Sequence, residues 1–160
     1  LIYQTQKEGN KTMLLKKNWH ILFADDEKFY MKGTIEILRS FVNNNLAVAT
    51  NGTQVLQYLK ENSSNLPDVI ILDIMMPGGP EIETKNNGQT TGEIVYNIIR
   101  NELCLNIPII ISSVVSDPDI LATFDDDNLV EKIGKPYMTV NLIKKIQKLI
   151  ERMENNVHKK

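Results

Sequence analysis

Cysteine is almost absent from this chain: Cys104 stands alone among 160 residues. One cysteine cannot close an intrachain disulfide, and it fits a reducing compartment. Flanked by Leu103 and Leu105, its thiol is expected to be buried and inert rather than reactive. Long apolar runs are missing too. None approaches the ~18 residues of a membrane span, and no signal-peptide core opens the chain. Charge of one sign is lacking: 18 Lys and Arg face 20 Asp and Glu, a formal net charge of −2. No basic field therefore argues for nucleic acid or an anionic membrane surface. Neither GxGxxG nor GxxxxGK[ST] occurs, so a nucleotide-phosphate cradle has no support. These absences leave a soluble, cytoplasmic protein.

What is present suffices for one domain with a real core: 42% of residues are hydrophobic and 24% charged. The opening stretch "LIYQTQKEGNKT" is polar and without sustained periodicity. Residues 1–17 are expected to form a flexible N-terminal extension, with Met13 a candidate start. The ordered domain is expected over 18–152, followed by a tail at 153–160.

Short apolar runs and amphipathic stripes alternate along the domain. "HILFA" reads as a buried strand ending in Asp25, Asp26 and Glu27. His20 is expected at the start of that strand and not as a ligand, and Trp19 as an edge-packing residue. Met31, Thr34, Ile35, Leu38, Phe41 and Val42 recur at helical spacing. "LAVAT" is a second strand. Val55, Leu56 and Leu59 mark a helix that "NLPD" breaks. "VIIL" is a third strand, and Asp73 follows it directly. A polar stretch rich in Gly and Asn, residues 77–91, reads as a mobile, exposed loop. Ile94, Val95, Ile98 and Ile99 then mark a third helix, "PIIIS" a fourth strand, and Pro118 the first turn of a short helix. "LVEKIG" is a fifth strand, before the stripe of Leu142, Ile143, Ile146, Leu149, Ile150 and Met153.

Strands that are apolar throughout belong in a parallel sheet covered on both faces. Right-handed crossovers then give an α/β, doubly wound five-stranded parallel sheet. In such sheets a site lies beyond the carboxyl ends of the strands, at the switch in strand order. The residues placed there are Asp25, Asp26, Asp73, Ser112, Ser113 and Lys135. Each has an ordinary reading by itself: a helix cap, a solvated strand end, a turn hydroxyl, a surface lysine. Asp73 by itself is open to three readings, a solvated strand end, a metal ligand or a nucleophile. Together the residues favour chemistry. Clustered acids repel unless a cation joins them, and an all-oxygen ligand set suits a hard cation such as Mg²⁺. An Asp can accept a phosphoryl group, with a metal, an ammonium and a hydroxyl dividing its charge.

Four segments in order, "ILFADDE", "VIILDIMMPG", "PIIISS" and "GKPY", resemble the response-regulator receiver domain of two-component signalling, over roughly residues 18–152. The resemblance implies a flavodoxin-like fold of receiver type. It implies Asp73 as phosphoacceptor, with Mg²⁺ or Mn²⁺ held directly by Asp26, Asp73 and the backbone carbonyl of Met75, and through water by Asp25. Ser113 would be the switch hydroxyl and Lys135 the phosphoryl partner, with a cis Lys135-Pro136 bond. The partner would be a histidine kinase or histidine phosphotransfer protein, and the output protein is unspecified. Three positions depart from the family pattern. The loop at 77–91 is roughly ten residues longer, Lys132 stands where an aromatic is usual (Tyr137 being a partial substitute), and Val114 stands where Ala or Gly is usual.

The expectation is a stand-alone receiver, a phosphoacceptor and not a turnover enzyme, with neither nucleic-acid binding nor membrane insertion. One alternative is a receiver module excised from a larger regulator or hybrid kinase. A more remote one is a Mg²⁺-dependent phosphatase with an Asp nucleophile. Such enzymes carry a second Asp two residues on, where this chain has Met75.

Overall fold

The computed structural model describes residues 6–8, 11–13, 18–83 and 90–157. Two short strands, β1 (Gln6–Glu8) and β2 (Lys11–Met13), pair antiparallel. The rest of the expected 1–17 extension lies outside the described residues. The five expected strands form one sheet: β3 (Ile21–Ala24), β4 (Leu46–Ala49), β5 (Val69–Asp73), β6 (Ile109–Ser113) and β7 (Val130–Gly134). Their order is β4-β3-β5-β6-β7 and every pair is parallel. Chain order reverses between β3 and β5, which puts the switch point between the ends carrying Asp25 and Asp73.

Because neighbouring side chains in a strand face opposite ways, the uniformly apolar strands feed two cores. Ile21, Phe23, Val69, Ile71 and Ile110 pack with helices α1 (Lys28–Phe41) and α6 (Thr139–Val157). Leu22, Ile70, Leu72, Ile109 and Ile111 face the other layer. That layer holds α2 (Gly52–Glu61), α3 (Pro80–Glu83), α4 (Thr91–Asn97) and α5 (Pro118–Ala122). Full burial of one such side chain contributes about 1.5–3 kcal/mol, so both faces hold the sheet in place. Among the described residues no helix is long and apolar enough to cross a membrane.

Local chemistry starts and stops the helices. Asn51 Oδ1 accepts from Gln54 N at 2.8 Å at the start of α2. Thr90 and Glu93 form a reciprocal capping box on α4. Asp117 caps α5, and Pro118 takes the first turn. Past α4 the helix widens into a π-helical segment, Ile98–Glu102. Cys104 leaves it at φ 52, a left-handed conformation. That exit corrects the expectation of a buried thiol: Leu103 and Leu105 pack against the core, while Cys104 is exposed.

Residues 77–91 fit the expected exposure at Pro77 and Pro80 and depart from it at Gly78 and Ile82, which are buried; 84–89 lie outside the described residues. The chain from Pro77 to Ile82 makes a turn seated on α2. Ile82 is 1% exposed, and Met76, just before the segment, 3%. Pro77 O accepts from Gly52 N at 2.9 Å, and Gly78 O from Thr53 N at 2.8 Å. These carbonyls satisfy N–H groups at the start of α2 that have no partner within the helix. Gly79, at φ +73, makes the turn, and a Cβ there would lie 2.8 Å from Thr53 Oγ1. Lys60 Nζ pairs with Glu81 Oε1 at 2.9 Å. At the far end, Gly92 N donates to Ile74 O at 3.0 Å. A Cβ on Gly92 would meet Ile74 Cα at 2.5 Å, so the first turn of α4 can lie this close to the chain after Asp73 only with a glycine there.

Candidate functional site

β3 runs into Asp25 because its apolar residues end there, and β5 runs into Asp73 for the same reason. Asp25 and Asp73 are 2% and 4% exposed, whereas Asp26 is exposed. One carboxylate oxygen from each of Asp25, Asp26 and Asp73 can be chosen so that all three lie within 4.8 Å of one another. Asp25 Oδ1 accepts from Glu27 N at 2.9 Å. Asp73 Oδ1 accepts from Met75 N at 3.0 Å, and its Oδ2 from Lys135 Nζ at 2.8 Å.

Lys135 arrives from the end of β7 through a cis Lys135-Pro136 peptide bond. Its backbone N donates to Ser113 O at 2.9 Å, which ties β7 to β6 at the site. Its side chain is 8% exposed, and Nζ lies 2.7 Å from Asp25 Oδ2. That contact is ionic and lacks hydrogen-bond alignment, so the buried Asp25 Oδ2 has no aligned donor. Burial draws the Lys135 pKa down, but the attraction of the Asp25 and Asp73 carboxylates outweighs it and holds it above the usual lysine value. The ammonium is thus fixed in its charged form between two buried carboxylates.

On β6, Ser112 is the register partner of Asp73, and Ser113 follows it. Ser113 is 3% exposed and its Oγ accepts from Val115 N at 3.1 Å. Ser112 Oγ donates to Tyr137 OH at 3.1 Å. Burial pushes the Tyr137 phenol up. A cavity of about 370 Å³ opens beside the site, lined by Tyr30, Met31, Val114, Lys135 and Tyr137 among others. Val114 and Met75 project outward, 67% and 56% exposed. Lys132 takes another direction. Its Nζ donates to Leu121 O at 2.9 Å and pairs with Asp125, tying β7 to the end of α5.

The six residues expected at strand ends therefore lie along one edge, with Asp25, Asp73 and Lys135 in direct contact. Glu27 belongs to the site as well: its N–H orients Asp25, and its Oε2 lies 4.0 Å from Lys135 Nζ. The third acid of "DDE" was its signal. Gly92, which braces the chain just past Asp73, had none, since a glycine opening a helix after a polar stretch looks like any turn glycine.

The donor set fits a hard divalent cation. It consists of carboxylate oxygens only, two of the three acids are buried, and Asp25 Oδ2 wants a better partner than the unaligned Lys135 contact. An oxygen-only set offers nothing to select a soft metal.

The family model for the response regulator receiver domain matches residues 21–147. Among solved structures, the receiver domain of a Francisella response regulator is 26% identical, with a TM-score of 0.59 over 84% of this chain and 98% of that one. A response regulator receiver domain protein from Methanospirillum hungatei JF-1 is 18% identical, with a TM-score of 0.66 over 89% and 98%. The signal receiver domain of a signal transduction histidine kinase from Syntrophus aciditrophicus is 22% identical, with a TM-score of 0.62 over 83% and 90%. The last two are likenesses of fold. No curated protein matches the chain.

Proposed function

Because the chain belongs to the response-regulator receiver family, we propose that it is a signalling phosphoacceptor, phosphorylated on Asp73 by a histidine kinase or histidine phosphotransfer protein. The receiver unit spans 18–152. The observation that carries this reading is the meeting of Asp25, Asp26 and Asp73 oxygens within 4.8 Å, beside the Lys135 ammonium.

In the transfer, an Asp73 carboxylate oxygen attacks the phosphorus of the donor phosphohistidine. The O–P bond forms as the N–P bond breaks, and the imidazole nitrogen keeps the electron pair and takes up a proton. Met75 N–H holds one Asp73 oxygen in place throughout. Lys135 leaves the other and turns Nζ to a phosphoryl oxygen, a short swing for a side chain already at 2.8 Å. Ser113, whose Oγ accepts from Val115 N, has its own proton to donate to a second phosphoryl oxygen. Asp26, Asp73 and the Met75 carbonyl would hold Mg²⁺ or Mn²⁺ directly, and Asp25 through a water. Bound there, the ion supplies positive charge against the phosphoryl oxygens. Loss of the group reverses the logic: water attacks phosphorus, the P–O bond to Asp73 breaks, and carboxylate and inorganic phosphate result.

One labelling event per molecule makes this a signalling acceptor and not a turnover enzyme. Its output is a surface that phosphorylation shifts, or onward relay of the phosphoryl group. The test is intact mass after incubation with Mg²⁺ and acetyl phosphate. One phosphoryl group should be gained, none in the presence of EDTA, and none in Asp73→Asn with its circular dichroism unchanged. Undiminished labelling of that variant would sink the assignment.

A further inference from the structure

Resting on the phosphoacceptor reading, we infer that Thr53, on a helix that supplies no site residue, is a positioning residue for the turn that follows Asp73. The Met75 N–H holds Asp73 Oδ1, so the course of the chain through Met75 sets the aim of the carboxylate. The Met75 side chain, 56% exposed, offers little packing to fix that course. The chain is fixed instead on either side of it. Before Met75, Ile74 O is held by Gly92 N. After it, Pro77 O and Gly78 O are held by Gly52 N and Thr53 N.

Thr53 does more than cap this turn. Its Oγ1 donates to Gly78 O at 3.1 Å and accepts from Glu81 N at 2.9 Å. The one hydroxyl thus uses its proton and a lone pair to join the turn to both α2 and α3. The backbone bond from Thr53 N survives any substitution short of proline, but these two do not. An isosteric change that removes the hydroxyl leaves Gly78 O one donor poorer and takes away the oxygen that Glu81 N donates to. The turn then keeps its backbone bonds to Gly52 and Thr53 but loses the two made by the hydroxyl, and the loosening reaches Met75, three residues before Gly78, and through it Asp73. Such a shift alters where Asp73 and the Met75 carbonyl can meet a cation.

The test compares Thr53→Val, which keeps shape and loses the hydroxyl, with Thr53→Ser, which keeps the hydroxyl. Three quantities are read at a temperature where all three proteins are folded. They are Mg²⁺ affinity of the unphosphorylated protein by calorimetry, the labelling rate with acetyl phosphate, and the Met75 amide resonance. Thr53→Val should weaken Mg²⁺ binding at least threefold, slow labelling by a similar factor and move the Met75 amide. Thr53→Ser should return all three to within twofold of wild type. A lowered melting temperature in Thr53→Val with Mg²⁺ affinity and labelling unchanged overturns the inference and leaves Thr53 a merely structural residue. Wild type that binds Mg²⁺ but is never labelled on Asp73 overturns the phosphoacceptor reading, while the Mg²⁺ and Met75 comparison still decides whether Thr53 positions the turn.

Discussion

Replacing Ile82 with alanine separates a seated turn from a tolerated loop. Ile82 is 1% exposed and crowds over Gly52 with Thr91 and Val95, close enough that a Cβ on Gly52 would lie 2.9–3.0 Å from all three. Ile82→Ala deletes three carbons from this contact. At about 0.8 kcal/mol per buried methylene, the transfer loss alone is roughly 2.4 kcal/mol. A residual cavity would add to it, and Ile→Ala in cores spans about 2–5 kcal/mol. Helix α3 has only four residues and can settle toward α2, so the lower part of that range applies, about 2–3 kcal/mol. With a urea slope of about 2 kcal/mol/M, the unfolding midpoint should fall by a little over 1 M at unchanged slope. Lys60→Ala is the control. It removes a largely exposed ion pair with Glu81, worth less than about 1 kcal/mol. A loss below about 0.5 kcal/mol in Ile82→Ala, the size of an ordinary surface change, would refute the claim that this segment is part of the core.

Val114, exposed at the mouth of the cavity beside Lys135, adds two methyl groups and is stiff at χ1; Val114→Ala should speed both loss of phosphate and labelling by small donors. A tenfold change needs only about 1.4 kcal/mol of barrier, and rates unchanged within twofold would show that the side chain does not guard the phosphorus. Asp127 accepts from Arg100 Nε at 2.7 Å and Tyr96 OH at 3.1 Å. Burial raises its pKa, but the bonds from Arg100, Leu129 N and Tyr96 outweigh it and hold the folded value below the usual 3.8. Its contribution to stability is therefore full above the usual value and lost as pH falls through the lower folded value. The stability gap between wild type and Asp127→Asn should shrink as pH falls below 3.8 and through the folded value; urea unfolding across that pH range checks this, and a gap that stays constant until the protein unfolds in acid would contradict it.

The strands and their order of use were legible because β3, β5 and β6 carry nothing but apolar residues up to the acid or serine that ends them. α1 was legible because Met31, Ile35, Leu38 and Phe41 recur on one face, and all four are buried. Placing Asp25, Asp73 and Lys135 together followed from topology: parallel strands deliver their ends to one edge. α3 was not legible. It seats one buried residue, Ile82, and a single apolar residue has no period. Cys104 misled for a related reason. Its neighbours are apolar and do pack inward, but the left-handed exit from a π-helical turn reverses the direction of the residue between them. Lys132 is apolar in neither type nor role; only the structure shows it spanning to Leu121 O and Asp125.

The two fixed ends of the 77–91 segment have a consequence for engineering. Ile82 and the α2 bonds secure one end, and Gly92 on Ile74 secures the other, so the turn after Asp73 is held from two sides. Ile82 and Gly92 are therefore the two points that engineering of this segment has to keep: a change at either one reaches the chain beside Asp73, through α2 in the first case and through Ile74 in the second.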